Sequence, residues 1–122
     1  VYKRQMFAGH RKLDNLCVIV DNNNLQIDGT VEDVCSPYPI DEKFKAFNFH
    51  VININGNDFD EIDRAFAEAK SHKGEPTAII AHTIKGKGVS FMEDKAGWHG
   101  KAPNEEEYKI AMEELEKEAA AL

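Results

Sequence analysis

Leu16-Cys17-Val18-Ile19-Val20-Asp21-Asn22-Asn23-Asn24-Leu25-Gln26-Ile27-Asp28-Gly29 passes without a break from an apolar, β-branched run into a polar, turn-forming one. The apolar half suits a strand buried on both faces of a parallel sheet, where ligands gather beyond the carboxyl ends of the strands. The polar half therefore stands where chemistry is expected. Two further runs repeat the pattern, Val51-Ile52-Asn53-Ile54 after a short helix and Thr77-Ala78-Ile79-Ile80-Ala81 after Pro76.

Helix signals lie between these runs. Met6 to Lys12 reads as the end of a helix, turned into the first strand by Leu13-Asp14-Asn15. Asp41 is placed to cap a short helix bearing Phe44 and Phe47. Asp58 with Glu61 predicts a capping box for a helix whose Phe59, Ile62, Phe66 and Ala69 share one face and which ends near His72-Lys73-Gly74. Asn104 with Glu107 predicts a second box on the last helix. Helices alternating with strands, on connections long enough for crossovers, predict an α/β fold. The expected architecture is part of a doubly wound parallel sheet, with three strands at about Leu16 to Asp21, Val51 to Ile54 and Thr77 to Ala81 and with flanking helices. The loops after the first and third strands then leave the same edge, and Asp21 to Tyr38 is read as a polar loop.

The 122 residues hold one domain or part of one. No apolar run approaches the ~20 residues of a membrane span, and 15 Lys and Arg against 22 Asp and Glu argue against a general nucleic-acid surface. Cys17 and Cys35 make no disulfide framework and read as two unpaired thiols of a reducing cytoplasm. The chain begins with Val1, and no signal-peptide apolar region follows Val1 to Gln5, so a start inside a longer polypeptide is expected. No G-x-G-x-x-G opens a helix after a strand, which disfavours a Rossmann dinucleotide domain.

Two clusters carry candidate chemistry. Asp21 to Gly29 offers amide and carbonyl oxygens of the kind hard cations take, although composition alone favours a simple turn. Gly29 is expected to supply conformational freedom and Asp28 to bond local amides. Lys85 to Pro103, after the third run, has glycines that let the backbone approach a ligand and lysines suited to phosphates; read alone, it is a flexible solvated loop. Among the histidines, His10 and His72 read as structural groups near helix ends, His50 is uninformative, and His82 stands near the ligand-binding edge.

In order, Asp21-Asn22-Asn23 followed by Leu25-x-Ile27-Asp28-Gly29 resembles the second half of the thiamine-diphosphate motif of transketolases, whose first half is an upstream Gly-Asp-Gly. Met6 to Leu16 resembles the helix and turn that enter this strand in the family, and the likeness runs to the end of the chain, failing only at Val1 to Gln5. Lys85-Gly86-Lys87-Gly88-Val89-Ser90-Phe91-Met92-Glu93 together with Trp98-His99-Gly100-Lys101-Ala102-Pro103-Asn104 is most similar to the stand-alone N-terminal subunit of split transketolases.

The resemblance implies that residues 1–122 are the C-terminal portion of a single thiamine diphosphate (diphosphate-binding) domain. It implies Asn23 as a Mg²⁺ (or Ca²⁺) ligand through its side chain, Leu25 as a ligand through its carbonyl, Ile27 as an apolar residue against the cofactor, and His99 as the catalytic group reaching both diphosphate and substrate. The fixed distance to Ile27-Asp28-Gly29 selects Asn23 from the asparagine run. The implied enzyme is a cytoplasmic, oligomeric transferase of the pentose phosphate pathway and carbohydrate metabolism, moving a two-carbon ketol unit between sugar phosphates. Its pyrimidine-binding domain is expected on a separate C-terminal subunit. The polypeptide alone is expected to be inactive, because the Gly-Asp-Gly and the activating Glu of the other domain are missing from it. The alternatives are the related synthase that condenses pyruvate into deoxyxylulose phosphate and a non-catalytic assembly module of the same fold; His99-Gly100-Lys101-Ala102-Pro103 favours transketolase.

Overall fold

The structure, a computed structural model, describes residues 2–121; Val1, whose identity suggested an internal start, and Leu122 lie outside the described residues. In chain order the elements are α1 (Tyr2–His10), β1 (Cys17–Asn22), β2 (Leu25–Gln26), β3 (Gly29–Thr30), α2 (Val31–Val34), α3 (Ile40–Ala46), β4 (His50–Asn55), α4 (Phe59–Ser71), β5 (Thr77–His82), a 3₁₀ turn (Ala96–Trp98) and α5 (Glu105–Ala119). They form two compact units, Val1–Asn22 with Pro37–Thr83 and Asn23–Ser36 with Ile84–Leu122.

The first unit holds a three-stranded sheet in the order β1-β5-β4. Both pairings are parallel, and the register sets Asn22 and Asn55 beside His82, so all three strands end at one edge. The parallel α/β architecture expected from the sequence is present. Central β5 is buried from Thr77 to Ala81, and its alternation divides the core between two faces. Ile79 and Ala81 join Ile54 and Ala65 on one face, with Ile62 and Ala69 packed alongside. Ala78 joins Ala8 and Phe49 on the other, with Phe44, Phe47 and Val18 around them. Here α1 passes so close to the end of α3 that a Cβ on Gly9 would lie 1.9 Å from the Phe47 carbonyl oxygen.

Three local expectations are corrected. β1 is not covered on both faces along its length: from Cys17 to Asp21 its residues alternate between exposed and half-buried, Ile19 is 56% exposed, and Asn22 at its end is buried. The reason is its place at the sheet edge, since α4 packs on β4 and leaves the Ile19 side uncovered. On α4 the buried stripe is Ile62, Ala65 and Ala69, whereas Phe59 and Phe66 are exposed. Small Ala65 lets the helix sit close to the sheet, which moves the stripe off the phenylalanines. Asp41 is not a cap; Pro39 holds the N-cap position of α3, and Asp41 lies in the first turn, 3.5 Å from the Lys45 ammonium.

Only half of the first predicted capping box forms. The Asp58 carboxylate accepts from the amides of Asp60 and Glu61, but the Glu61 carboxylate reaches back past Asp58 to the Asn55 amide at 2.7 Å. The second box, Asn104 with Glu107, is complete on α5.

In the second unit the supposed polar loop is folded. Leu25 pairs with Thr30 and Gln26 with Gly29 in a tight hairpin, and the Thr30 hydroxyl caps α2 by accepting from the Asp33 amide at 3.2 Å. Gly29 has φ +147°, a backbone shape glycine adopts freely. Asp28, against expectation, makes no bond to the loop amides among the described residues; its place in the two-residue turn needs none. The 85–103 segment is likewise braced. The Ser90 amide and hydroxyl donate to the two Glu114 carboxylate oxygens at 2.8 and 2.6 Å, the Trp98 indole donates to the Phe91 carbonyl at 3.0 Å, and the Asp94 amide donates to the Lys85 carbonyl at 3.0 Å. No helix among the described residues is long and apolar enough to cross a membrane.

Candidate functional site: an oxygen- and lysine-lined cleft

The asparagine run at the end of β1 separates into three roles. Asn22 is buried, and its amide is spent: Oδ1 accepts from the Tyr38 hydroxyl at 2.7 Å, and Nδ2 donates to His82 Nδ1 at 3.3 Å. His82 Nε2 lies 3.2 Å from Asn53 Oδ1, so the tautomer carrying its hydrogen on Nε2 satisfies both neighbours and ties the three strand ends together. Asn24 sits in the left-handed region at φ +60° and gives its carbonyl to the Val31 amide at 3.0 Å. Asn23 lies between them, its Oδ1 accepting from the Leu25 amide at 3.0 Å.

That Asn24–Val31 bond fixes the direction of Leu25. In an antiparallel ladder bonded and non-bonded pairs alternate, so Leu25 opposite Thr30 turns its N–H and C=O away from β3. The N–H has found Asn23 Oδ1, and the carbonyl points to the same side. Asn23, Leu25, Gln26, Ile27, Lys85, Ala96 and His99 line one cleft of about 250 Å³ within the second unit. Asn23, Leu25, Ile27 and His99, the residues that the resemblance singles out, are thus brought to a single place. A larger groove of about 460 Å³, lined by Tyr2, Phe44 and Phe47 among others, belongs to the first unit and contains none of them.

The donor set tests what the cleft can hold. An amide oxygen has two lone pairs, so Asn23 Oδ1 can meet a cation while keeping its bond to Leu25, and the Leu25 carbonyl adds a second hard oxygen. No carboxylate lines the cleft, and no cluster of three His, Cys, Asp or Glu suited to a metal occurs among the described residues. Lys85 and His99 instead favour an anion. The set fits a diphosphate that shares a cation with Asn23 and Leu25, and Ile27, 70% exposed at the cleft wall, offers an apolar face to the rest of such a ligand.

Among the lysines that the sequence grouped together, Lys85 lines the cleft, while Lys87 is turned to Glu93 at 3.6 Å. Gln26 and Ala96 were not singled out; Gln26 stood as the undefined position between Leu25 and Ile27. The other histidines lie outside this cleft. His50 stacks on His72 with ring centroids 4.0 Å apart, and each reaches a glutamate, Glu68 at 2.7 Å and Glu75 at 3.4 Å. Cys17 and Cys35 are free thiols.

A parallel α/β sheet accompanied by a cleft of hard oxygens, a lysine and a histidine defines a cofactor-binding α/β protein. Residues 3–120 match the family described as transketolase, thiamine diphosphate binding domain, and the chain belongs to that family. It is 43% identical over 120 residues to the 6-deoxy-6-sulfo-D-fructose transketolase subunit SqwG of Clostridium sp. (strain MSTE9), covering 98% of this chain and 44% of that one. It is 40% identical over 115 residues to one of the subunits of the apulose-4-phosphate transketolase of Phocaeicola vulgatus, covering 94% and 41%. The crystal structure of Campylobacter jejuni transketolase superposes with a TM-score of 0.83 at 38% identity, covering 92% of this chain and 17% of that chain. The chain therefore spans less than half the length of the curated relatives it matches.

Proposed function

We propose that this chain is the diphosphate-holding part of a transketolase, residues 1–122 being the C-terminal portion of one thiamine diphosphate domain, and that the complete protein transfers a two-carbon ketol unit between anionic sugars. The observation that carries this reading is the convergence of Asn23, Leu25, Ile27 and His99 on one cleft. Thiamine diphosphate, when bound, supplies the electron sink for the carbon–carbon chemistry. The chain's own residues do the rest. Asn23 Oδ1 and the Leu25 carbonyl would hold Mg²⁺ (or Ca²⁺), the Lys85 ammonium would neutralise charge on the diphosphate, and Ile27 would give the cofactor an apolar wall. His99 moves a proton to or from the substrate, the acid–base task that a positioned imidazole most often takes in catalysis.

The names of two relatives, each a transketolase subunit, support a separate partner subunit that carries the pyrimidine-binding domain. The same names support sugars bearing a phosphate or sulfonate as substrates. We place the enzyme in the cytoplasm, in an oligomer serving pentose phosphate metabolism. With no carboxylate in the cleft, the segment alone is inactive; the upstream Gly-Asp-Gly of the family would complete the metal site.

The test uses the full-length gene product with its partner. His99→Ala lowers kcat/KM for ketol transfer by roughly 10² to 10⁴-fold, the loss expected for a positioned acid–base group, while thiamine diphosphate affinity falls much less. Near-normal turnover in this variant withdraws the catalytic role and leaves residues 85–103 as a structural lid. A wild-type complex that takes pyruvate and refuses ketose phosphates as donor assigns the related synthase instead.

A further inference from the structure

Gln26 is held rigidly, yet its side chain is left without a partner. Its backbone belongs to the bonded hairpin pair with Gly29, and the residue lines the same cleft as Asn23, Lys85 and His99. Among the described residues only two buried side-chain polar atoms lack a hydrogen-bond partner, and the Gln26 Nε2 is one of them. A buried amide donor with no acceptor is unfavourable, and native chains keep such a group where a ligand completes it. The torsion that orients a glutamine amide is broad, so the NH₂ group can turn to meet a ligand while the β2 backbone stays in place.

We propose that Gln26 is a ligand-binding residue of this cleft, its side-chain amide donating to a phosphate oxygen of the bound molecule. The inference rests on the diphosphate reading above and adds to it a neutral donor. Lys85 and His99 attract by charge, whereas an amide rewards an oxygen only at one distance and direction. Two sources can present that oxygen, the diphosphate of the cofactor and the phosphate of the sugar.

The experiment compares wild type, Gln26→Met and Gln26→Glu in the full-length protein assembled with its partner. Calorimetric titration with thiamine diphosphate and Mg²⁺, without substrate, reads the first source, and the KM for the sugar phosphate at saturating cofactor reads the second. Loss of one bond to a charged oxygen weakens binding roughly ten- to hundredfold in Gln26→Met. Gln26→Glu weakens it further, because a carboxylate then faces the phosphate. The ligand-free thermal midpoint of Gln26→Met equals or exceeds that of wild type, since the unsatisfied donor has gone. A weakened cofactor titration assigns the diphosphate; a raised KM with unchanged cofactor affinity assigns the sugar phosphate. Both variants binding cofactor and substrate as wild type does overturns the proposal, and a lower ligand-free midpoint alongside unchanged affinities marks the amide as purely structural. Failure of wild type itself to bind thiamine diphosphate refutes the cofactor reading instead, so the two failures are distinct.

Discussion

Gly86→Ala tests whether the 85–103 segment is held in shape for the cleft. Gly86 has φ +73°, and a Cβ built there would lie 2.8 Å from Met92 Cβ and 2.9 Å from both the Met92 carbonyl carbon and its oxygen. A side chain in the left-handed region costs about 1–2 kcal/mol. The overlap cannot be relieved by a rotamer change, because two of the three atoms are backbone; Met92 N–H is bonded to the Val89 carbonyl at 2.8 Å and the Met92 carbonyl accepts from the Lys95 amide at 3.2 Å. Overpacking of this kind adds about 1–3 kcal/mol, so the total is roughly 2–5 kcal/mol by these two effects. Two controls divide the sum. Gly74→Ala, at φ +87° with open space around it, carries the conformational part alone, about 1–2 kcal/mol. Gly97→Ala, with open space and no positive φ, stays within about 0.5 kcal/mol of wild type. Chemical denaturation of the three variants, with thiamine diphosphate titration alongside, reads both consequences. Because the Lys85 carbonyl is braced by the Asp94 amide across this turn, Gly86→Ala weakens cofactor binding while Gly74→Ala, in the other unit, does not. A Gly86→Ala protein as stable as Gly97→Ala refutes the reasoning.

Asn23→Ala weakens Mg²⁺-dependent cofactor binding in the complete protein more than Asn24→Ala, which instead loses about 1–2 kcal/mol of stability if alanine must sit at φ +60°; equal effects in the titration show that the register along the run is wrong. His82→Ala lowers turnover less than His99→Ala and shows itself in the denaturation midpoint, since Asn22 Nδ2 loses its acceptor, a loss of about 1–3 kcal/mol; a collapse of kcat with unchanged stability contradicts this. The Ser90 hydroxyl and then the Ser90 amide hold the Glu114 carboxyl below the usual carboxylate value of 4.5. A lowered folded pKa means that this anchoring is present above that value and is lost as pH falls through the folded one. The protection factor of the Ser90 amide, taken against its intrinsic exchange rate at each pH, therefore falls in acid below 4.5, and this acid-dependent step is absent in Glu114→Gln. An unchanged acid step in that variant shows that another group is responsible.

The elements that depend on local pattern were legible in the sequence. Three β-branched or apolar runs of five or so residues became three parallel strands, and Asn104 with Glu107 forms the box that its spacing predicts. Legibility failed where the answer depended on distant residues. The pattern Phe59, Ile62, Phe66, Ala69 is a good helical stripe, yet which of two adjacent stripes is buried is decided by the approach of Ala65 to Ile54 and Ile79. β1 looked like a strand covered on both faces because Ile19 and Val20 are equally apolar; only its place at the sheet edge sets Ile19 apart. In sequence the hairpin β2–β3 reads as a polar loop; its signals, Asp28-Gly29 and Thr30 three residues before Asp33, are local, but strands two residues long fall below what periodicity detects.

The site was legible in a different way. Composition could not separate three consecutive asparagines, because each has the same donors and acceptor and each suits a turn. What separates them is who else arrives. Asn22 is consumed by Tyr38, 16 residues on, and by His82, 60 residues on; Asn24 is turned into the left-handed region by the hairpin it starts. Asn23 is left facing the cleft as the consequence of its neighbours' commitments. Resemblance selects the same residue through the fixed spacing to Ile27-Asp28-Gly29, and the cofactor titration of Asn23→Ala against Asn24→Ala is what tests that choice. Gln26 shows the converse, since nothing in its neighbourhood along the chain marks it. Its meaning lies in a bond that is not made within the protein, and a bond to a ligand is visible only once every internal partner has been accounted for.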